Sequence, residues 1–251
     1  MTMLNEVPQV TVFFWIIKVL ATTVGETVAD FLNTKLGFGL NNTSLVMGAL
    51  FLIALAVQLR AKRHIPGVYW TVVVFVSVVG TLLTDNLTDN LGVSLTTTTI
   101  VFSIVLALVF VLWYLAEKTL SVHSIVTTKR ELFYWLTILF AFALGTSAGD
   151  LLAEKSGLGY AVAAFVFLAA IGLTIVAYYL FKIDGVVTFW IAYVLTRPLG
   201  ASTGDLRSQA TKDGGLGLGT TLVSAVFLVI IVGLVTFLTI NPIDRITGAD
   251  A

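Results

Sequence analysis

The chain has 251 residues, of which 58% are hydrophobic and 11% charged, less than half the charged fraction of roughly a quarter that covers a water-soluble globule. Its Lys+Arg and Asp+Glu counts balance at 14 each, and no basic run exceeds Arg60, Lys62 and Arg63, which excludes nucleic acid as a partner because phosphate binding needs many cations. Cysteine is absent, so disulfide frameworks, thiolate metal sites and cysteine nucleophiles are excluded together.

In chain order, apolar stretches long enough to cross about 30 Å of hydrocarbon, about 20 residues each, predict helices over 10–33, 43–59, 68–89, 95–116, 132–153, 160–181, 187–207 and 217–240. Residues 1–10 carry Glu6 and no basic cluster, so they do not read as a cleavable signal and the first helix is expected to stay. Loops are short, the longest being 117–131 and 205–215, which leaves one membrane domain over 1–251 and no soluble domain. Flanking basic residues fall unevenly. One side holds Arg60, Lys62, Arg63, Lys118, Lys129, Arg130, Lys182 and Arg245, the other Lys35, Lys155, Arg207 and Lys212. The positive-inside rule then places both termini in the cytoplasm. His64 and His123 fall in cytoplasmic loops and are expected to be solvated.

The chain repeats internally. Trp15, Trp70, Trp135 and Trp190 are each followed ten residues later by Gly25, Gly80, Gly145 and Gly200, and five residues further by Asp30, Asp85, Asp150 and Asp205. Four matches to one Trp-x9-Gly-x4-Asp frame divide the chain into units near 10–66, 67–131, 132–186 and 187–240. Each unit holds two spans, so the copies are parallel and the four aspartates lie at one depth. With tryptophan at the interface, glycine is about 15 Å in and aspartate about 22 Å in, at 1.5 Å per residue.

With this frame, and with Gly25-Glu26-Thr27-Val28-Ala29-Asp30 and Gly145-Thr146-Ser147-Ala148-Gly149-Asp150 in the first and third units, the sequence resembles a family of bacterial multipass proteins. Those proteins have four tandem repeats, each with two transmembrane segments and a tryptophan, and are labelled as of unknown function. The resemblance covers nearly the whole chain and implies the fold rather than an activity. The second unit, Gly80-Thr81-Leu82-Leu83-Thr84-Asp85, departs most from it.

Small residues four apart, Gly25/Ala29, Gly145/Gly149 and Gly200/Gly204, with Gly80/Thr84 as a weaker copy, form stripes on which helices in lipid approach closely. The even spans carry no Asp, Glu, Lys or Arg in their interiors, whereas the odd spans carry Lys18, Glu26, Asp30, Asp85, Asp89, Asp150, Arg197 and Asp205. A charge facing lipid is costly. The expected fold is therefore an all-α integral membrane protein of eight transmembrane helices in four parallel two-helix repeats, odd helices inside and even helices outside.

Three readings of the aspartates stay open: hydrated starts of loops, caps of a following short segment such as 33–37, or a ring of interior carboxylates formed where the helices break at their glycines. Lys18 and Glu26 are expected to pair, directly or through water, along one face of the first helix, with Thr22 one turn from each. If the repeats close into a ring, Arg197, followed by Pro198, meets Glu26 or Asp30. Six embedded acids against two cations, with nearby hydroxyls, suit a hard cation such as Mn2+, Ca2+ or Mg2+, or protons and sodium, and Glu26, Asp30, Asp150 and Asp205 are the candidate metal ligands. The sequence thus suggests a secondary transporter or exporter of a small cation. The alternatives are a transporter of a small charged organic solute using Lys18 and Arg197, and a non-transporting membrane protein. No cofactor is expected. The expected partners are membrane lipid and the transported cation or charged solute. No nucleophilic motif, intramembrane histidine or phosphate-cradling loop suggests an enzyme.

Overall fold

The computed structural model describes residues 7–61, 63–241 and 243–244; Glu6, which entered the signal reading, and Lys62 and Arg245, which entered the orientation reading, lie outside them. The described residues form eight long helices and no strand: α1 (Val12–Asp30), α2 (Gly39–Gln58), α3 (Pro66–Asp85), α4 (Leu95–Glu117), α5 (Thr128–Asp150), α6 (Gly159–Phe181), α7 (Gly185–Ser208) and α8 (Thr220–Ile240). Local chemistry starts them. Thr11, Ser94 and Thr127 each accept a bond from a first-turn amide, Asp184 accepts two at the start of α7, and Pro66 occupies the first turn of α3, where its missing N–H costs nothing. Seven of the helices are long and apolar enough to cross a membrane. The exception is α7, which carries Arg197, Pro198, Asp205 and Arg207.

The odd helices close into a ring, with α1 against α3, α3 against α5, α5 against α7 and α7 against α1. Each even helix packs on the odd helix of the next unit: α2 on α3, α4 on α5, α6 on α7, and α8 back on α1. The two-helix sequence unit is thus not the packing unit, since every unit is clasped by its neighbour. In the apolar windows of α1, α3 and α5, 61%, 61% and 56% of residues are buried, against 17%, 22%, 17% and 22% in α2, α4, α6 and α8. The even helices present Leu52, Ile104, Leu112, Phe165, Leu173 and Val229, each more than half exposed, as a continuous apolar belt far larger than a water-facing surface tolerates.

The repeated glycines make the ring. A Cβ built at Gly25 would lie 2.6 Å from Ser77 Cβ, at Gly80 2.7 Å from Phe142 Cβ, at Gly145 2.5 Å from Arg197 Cβ, and at Gly200 2.5 Å from Thr22 Cβ. Each glycine therefore faces the residue three positions before the next unit's glycine, and the fourth returns to the first. Gly149 and Gly204 also face the neighbouring odd helix, but less tightly: a Cβ at either would meet it at 3.4–3.6 Å, ordinary contact. The closest approach falls at the first member of each stripe.

The odd helices do not break at these glycines. They run unbroken to the aspartate, and in the first three units a single π turn follows, at Phe31–Lys35, Asn86–Asn90 and Leu151–Lys155. No aspartate side chain caps its turn. The carboxylates are therefore neither caps nor the first residues of loops. Insertions of this kind recur at functional sites. In the fourth unit α7 stays α-helical through Ser208.

Candidate functional site

The bundle has two unlike ends. At the tryptophan end, rings from all four odd helices interlock: Phe14 with Trp70 and Phe189, Tyr69 with Trp135, and Tyr134 with Trp190, at centroid separations of 5.5–6.2 Å. Trp70, Trp135 and Trp190 are core residues, and Trp15 is half-buried. The Tyr69 and Tyr134 hydroxyls are hydrogen-bonded. This plug closes the axis. Beside it Glu131, in the first turn of α5, accepts bonds from Gln58 Nε2 at 2.9 Å and Trp135 Nε1 at 3.2 Å. His64 is buried rather than solvated. Its Nε2 lies 3.0 Å from Asp244 Oδ2, tying the α2–α3 loop to the segment after α8, while His123 is exposed as expected.

The centre of the ring holds the embedded cations. Arg197 is fully buried. Its Nη2 donates to Glu26 Oε2 at 2.9 Å, to Thr146 Oγ1 at 2.7 Å and to Thr81 Oγ1, and its Nη1 donates to the Thr22 carbonyl at 3.0 Å. Thr81 also donates to Glu26 Oε2 at 3.3 Å. The fourth unit's arginine is thus the partner of the first unit's glutamate, as ring closure requires. Lys18 does not pair with Glu26. Its Nζ donates to the Tyr193 carbonyl at 2.7 Å and to Thr196 Oγ1, and lies 3.9 Å from the centroid of the Tyr193 ring. The arginine has taken the carboxylate, and eight residues of helix, about 12 Å, separate Lys18 from Glu26 on α1.

Toward the aspartate end the ring becomes acidic. Asp30, Asp85, Asp150 and Asp205 stand at the same register on the four odd helices, one turn beyond Glu26, and all four carboxylates feel Glu26 electrostatically. Asp205 is buried and the other three are half-buried. Asp30 accepts a bond from Gln209 Nε2 at 3.2 Å and borders a cleft of about 690 Å3 whose walls include Thr34, Lys35 and Thr220. The carboxylates of Asp85, Asp150 and Asp205 receive no hydrogen bond from the described residues. Glu26 forms the floor, with 8% of its side-chain surface still accessible above the wholly enclosed Arg197. Among the described residues no three of His, Cys, Asp or Glu lie close enough to hold a metal ion, so Glu26, Asp30, Asp150 and Asp205 stand toward one end of the ring without forming a chelating set.

Sequence reasoning missed Thr146 and Thr196. Thr146 was accessible from the repeat itself: Thr81 and Thr146 follow their glycines by one position, as Glu26 follows Gly25, and these three side chains meet. Thr196 has no counterpart in the other units, where Ala21, Val76 and Ala141 occupy its place.

A family model described as Repeat of Unknown Function (DUF347) matches four times, over residues 13–64, 68–119, 133–184 and 188–241. The chain belongs to this family. No curated protein and no solved structure matches the chain. The four matches coincide with the four copies of the Trp-Gly-Asp frame, so the family's repeat is the unit that closes the ring.

Proposed function

We propose that the protein is an integral membrane secondary transporter of a small hard cation, with the aspartate end of the ring as the binding region and its carboxylates exchanging the cation for protons. The observation that carries this reading is the set of four aspartates at one level above the Glu26–Arg197 floor. Carboxylates embedded among apolar helices are costly, and where they occur they mark ion or proton pathways. Among the described residues, three of the four, Asp85, Asp150 and Asp205, accept no side-chain hydrogen bond. The plug at the tryptophan end and the half-buried aspartates at the other end fit a state accessible from one side only. Because the acids are not gathered into a chelate, the cation keeps part of its hydration shell, which suits weak, reversible binding.

In this reading all eight helices span the bilayer, α7 being shielded from lipid by α6 and by the rest of the ring. The tryptophan end faces the cytoplasm, where Arg60, Arg63, Lys118, Lys129, Arg130 and Lys182 cluster. A charged organic solute is the second reading, favoured by Lys18, which has only neutral partners. It has less support, because Lys18 is sealed and Arg197 is already neutralised by Glu26.

The test is flux into proteoliposomes of Na+, Mg2+, Ca2+ and Mn2+, with a proton gradient imposed or collapsed. The expected result is gradient-dependent flux of one or more cations, reduced at least tenfold in Asp150→Asn and Asp205→Asn. Absence of flux for every cation, or wild-type rates in both variants, would overturn the proposal.

A further inference from the structure

The surroundings of the Arg197 guanidinium are themselves a binding site. Its terminal nitrogens are held by four oxygens of different kinds: the Glu26 carboxylate, the Thr81 and Thr146 hydroxyls and the Thr22 carbonyl. All four belong to α1, α3 and α5. The cation they enclose comes from α7, at a position occupied by Thr22, Ser77 and Phe142 in the other three units. Cage and occupant are therefore built by different repeats, and removing the occupant leaves the oxygens in place. The cage carries one formal negative charge, which a monovalent cation neutralises. A divalent ion would leave an uncompensated positive charge in a buried site.

Two further features mark the occupant as separable. Among the described residues Arg197 Nε is buried without a hydrogen-bond partner, so the side chain is hydrogen-bonded only at its tip. Pro198 follows inside α7, and a proline both removes one backbone hydrogen bond and crowds the carbonyl four residues back, loosening the helix where the arginine leaves it. Above the cage, Asp30, Asp85, Asp150 and Asp205 add four carboxylates at the same end of the ring, which draws cations toward Glu26.

We propose that this cage is a subsite for a small monovalent cation, guanidinium-like or alkali, and that Arg197 is its tethered occupant, which keeps free cation out of it in the resting protein. The inference rests on the transport reading for its biological sense, but its test is one of binding and needs no flux. Purified Arg197→Ala is heated in detergent with choline, Na+, K+ or guanidinium at millimolar concentration, beside the wild type and the double variant Glu26→Gln/Arg197→Ala. The expected result is a saturable rise in the unfolding midpoint of Arg197→Ala, roughly 5 °C or more at saturation, with Na+, K+ or guanidinium. Choline should give none, and neither the wild type nor the double variant should respond.

A flat response in Arg197→Ala, or an equal rise in the wild type or the double variant, overturns the proposal. If Arg197→Ala does not survive extraction, recovery of folded protein with guanidinium in the growth and extraction media supports it, and failure of that recovery overturns it. Arg197→Gln, whose amide still donates to Glu26, gives a second folded test: a smaller saturable rise is expected, and none overturns the proposal. Wild-type proteoliposomes that move no cation would remove the transport reading while leaving a positive binding result intact.

Discussion

Replacing Gly80 by alanine tests the ring directly. The new Cβ would lie 2.7 Å from Phe142 Cβ and 3.2 Å from both the Ala143 nitrogen and the Phe142 carbonyl carbon. Two of these atoms are backbone and the third is fixed to it, so no rotamer change relieves the overlap. Reaching ordinary contact moves α3 and α5 apart by about 1 Å, an overpacking cost of about 1–3 kcal/mol. Alanine also gains about 1 kcal/mol of helix propensity over glycine, which partly hides that cost. Gly172 in α6 and Gly233 in α8 remove the ambiguity, because a Cβ at either meets nothing within 4 Å and the same propensity gain applies. The difference between Gly80→Ala and Gly172→Ala is then the steric cost alone, roughly 3–10 °C in unfolding midpoint for a domain of this size. The assay is a thermal scan of detergent-solubilised protein read by intrinsic fluorescence. Equal midpoints for Gly80→Ala and Gly172→Ala would refute the ring-contact argument.

Other consequences follow from the buried pair and its neighbours. Glu26→Gln and Arg197→Gln should each destabilise by about 3–5 kcal/mol because each strands a buried charge, whereas the double variant should recover most of the loss; additive costs in a double-mutant cycle would contradict the direct contact. Lys18→Met keeps the volume and removes a charge whose partners are all neutral, and Thr196 still has the Tyr193 carbonyl at 2.8 Å. Its unfolding midpoint is therefore expected at or above that of the wild type, and a large drop would show that Lys18 holds the fold through its charge. Trp135→Ala, which empties a fully packed site and frees Glu131 from one of its donors, should cost about 3–5 kcal/mol, and Trp15→Ala should cost clearly less; similar losses in parallel scans would argue against their different burial.

Some of this architecture was legible in one dimension. Helix number and placement followed from hydrophobic length. The sorting of charge onto odd helices foretold which helices would be central, because charge facing an apolar surround is costly whatever the detailed packing. The fourfold Trp-Gly-Asp frame marked the residues that the ring reuses, and ring closure offered Arg197 either Glu26 or Asp30, of which the structure takes Glu26.

The misread features depended on what each residue meets across the bundle. Lys18 and Glu26 lie on one helix and look like partners there, but the arginine from the far end of the chain reaches the carboxylate first and leaves the lysine to a carbonyl, a hydroxyl and an aromatic face. Gly149 and Gly204 look like Gly145 and Gly200 in sequence, yet only the latter stand at a point of closest approach. His64 looks solvated until Asp244, 180 positions away, covers it. The sequence by itself determined composition, periodicity and the repeat, since these are properties of a chain and its solvent. Only the tertiary structure decided which polar group compensates which, because a buried charge is satisfied by whatever the closed ring brings within about 3 Å.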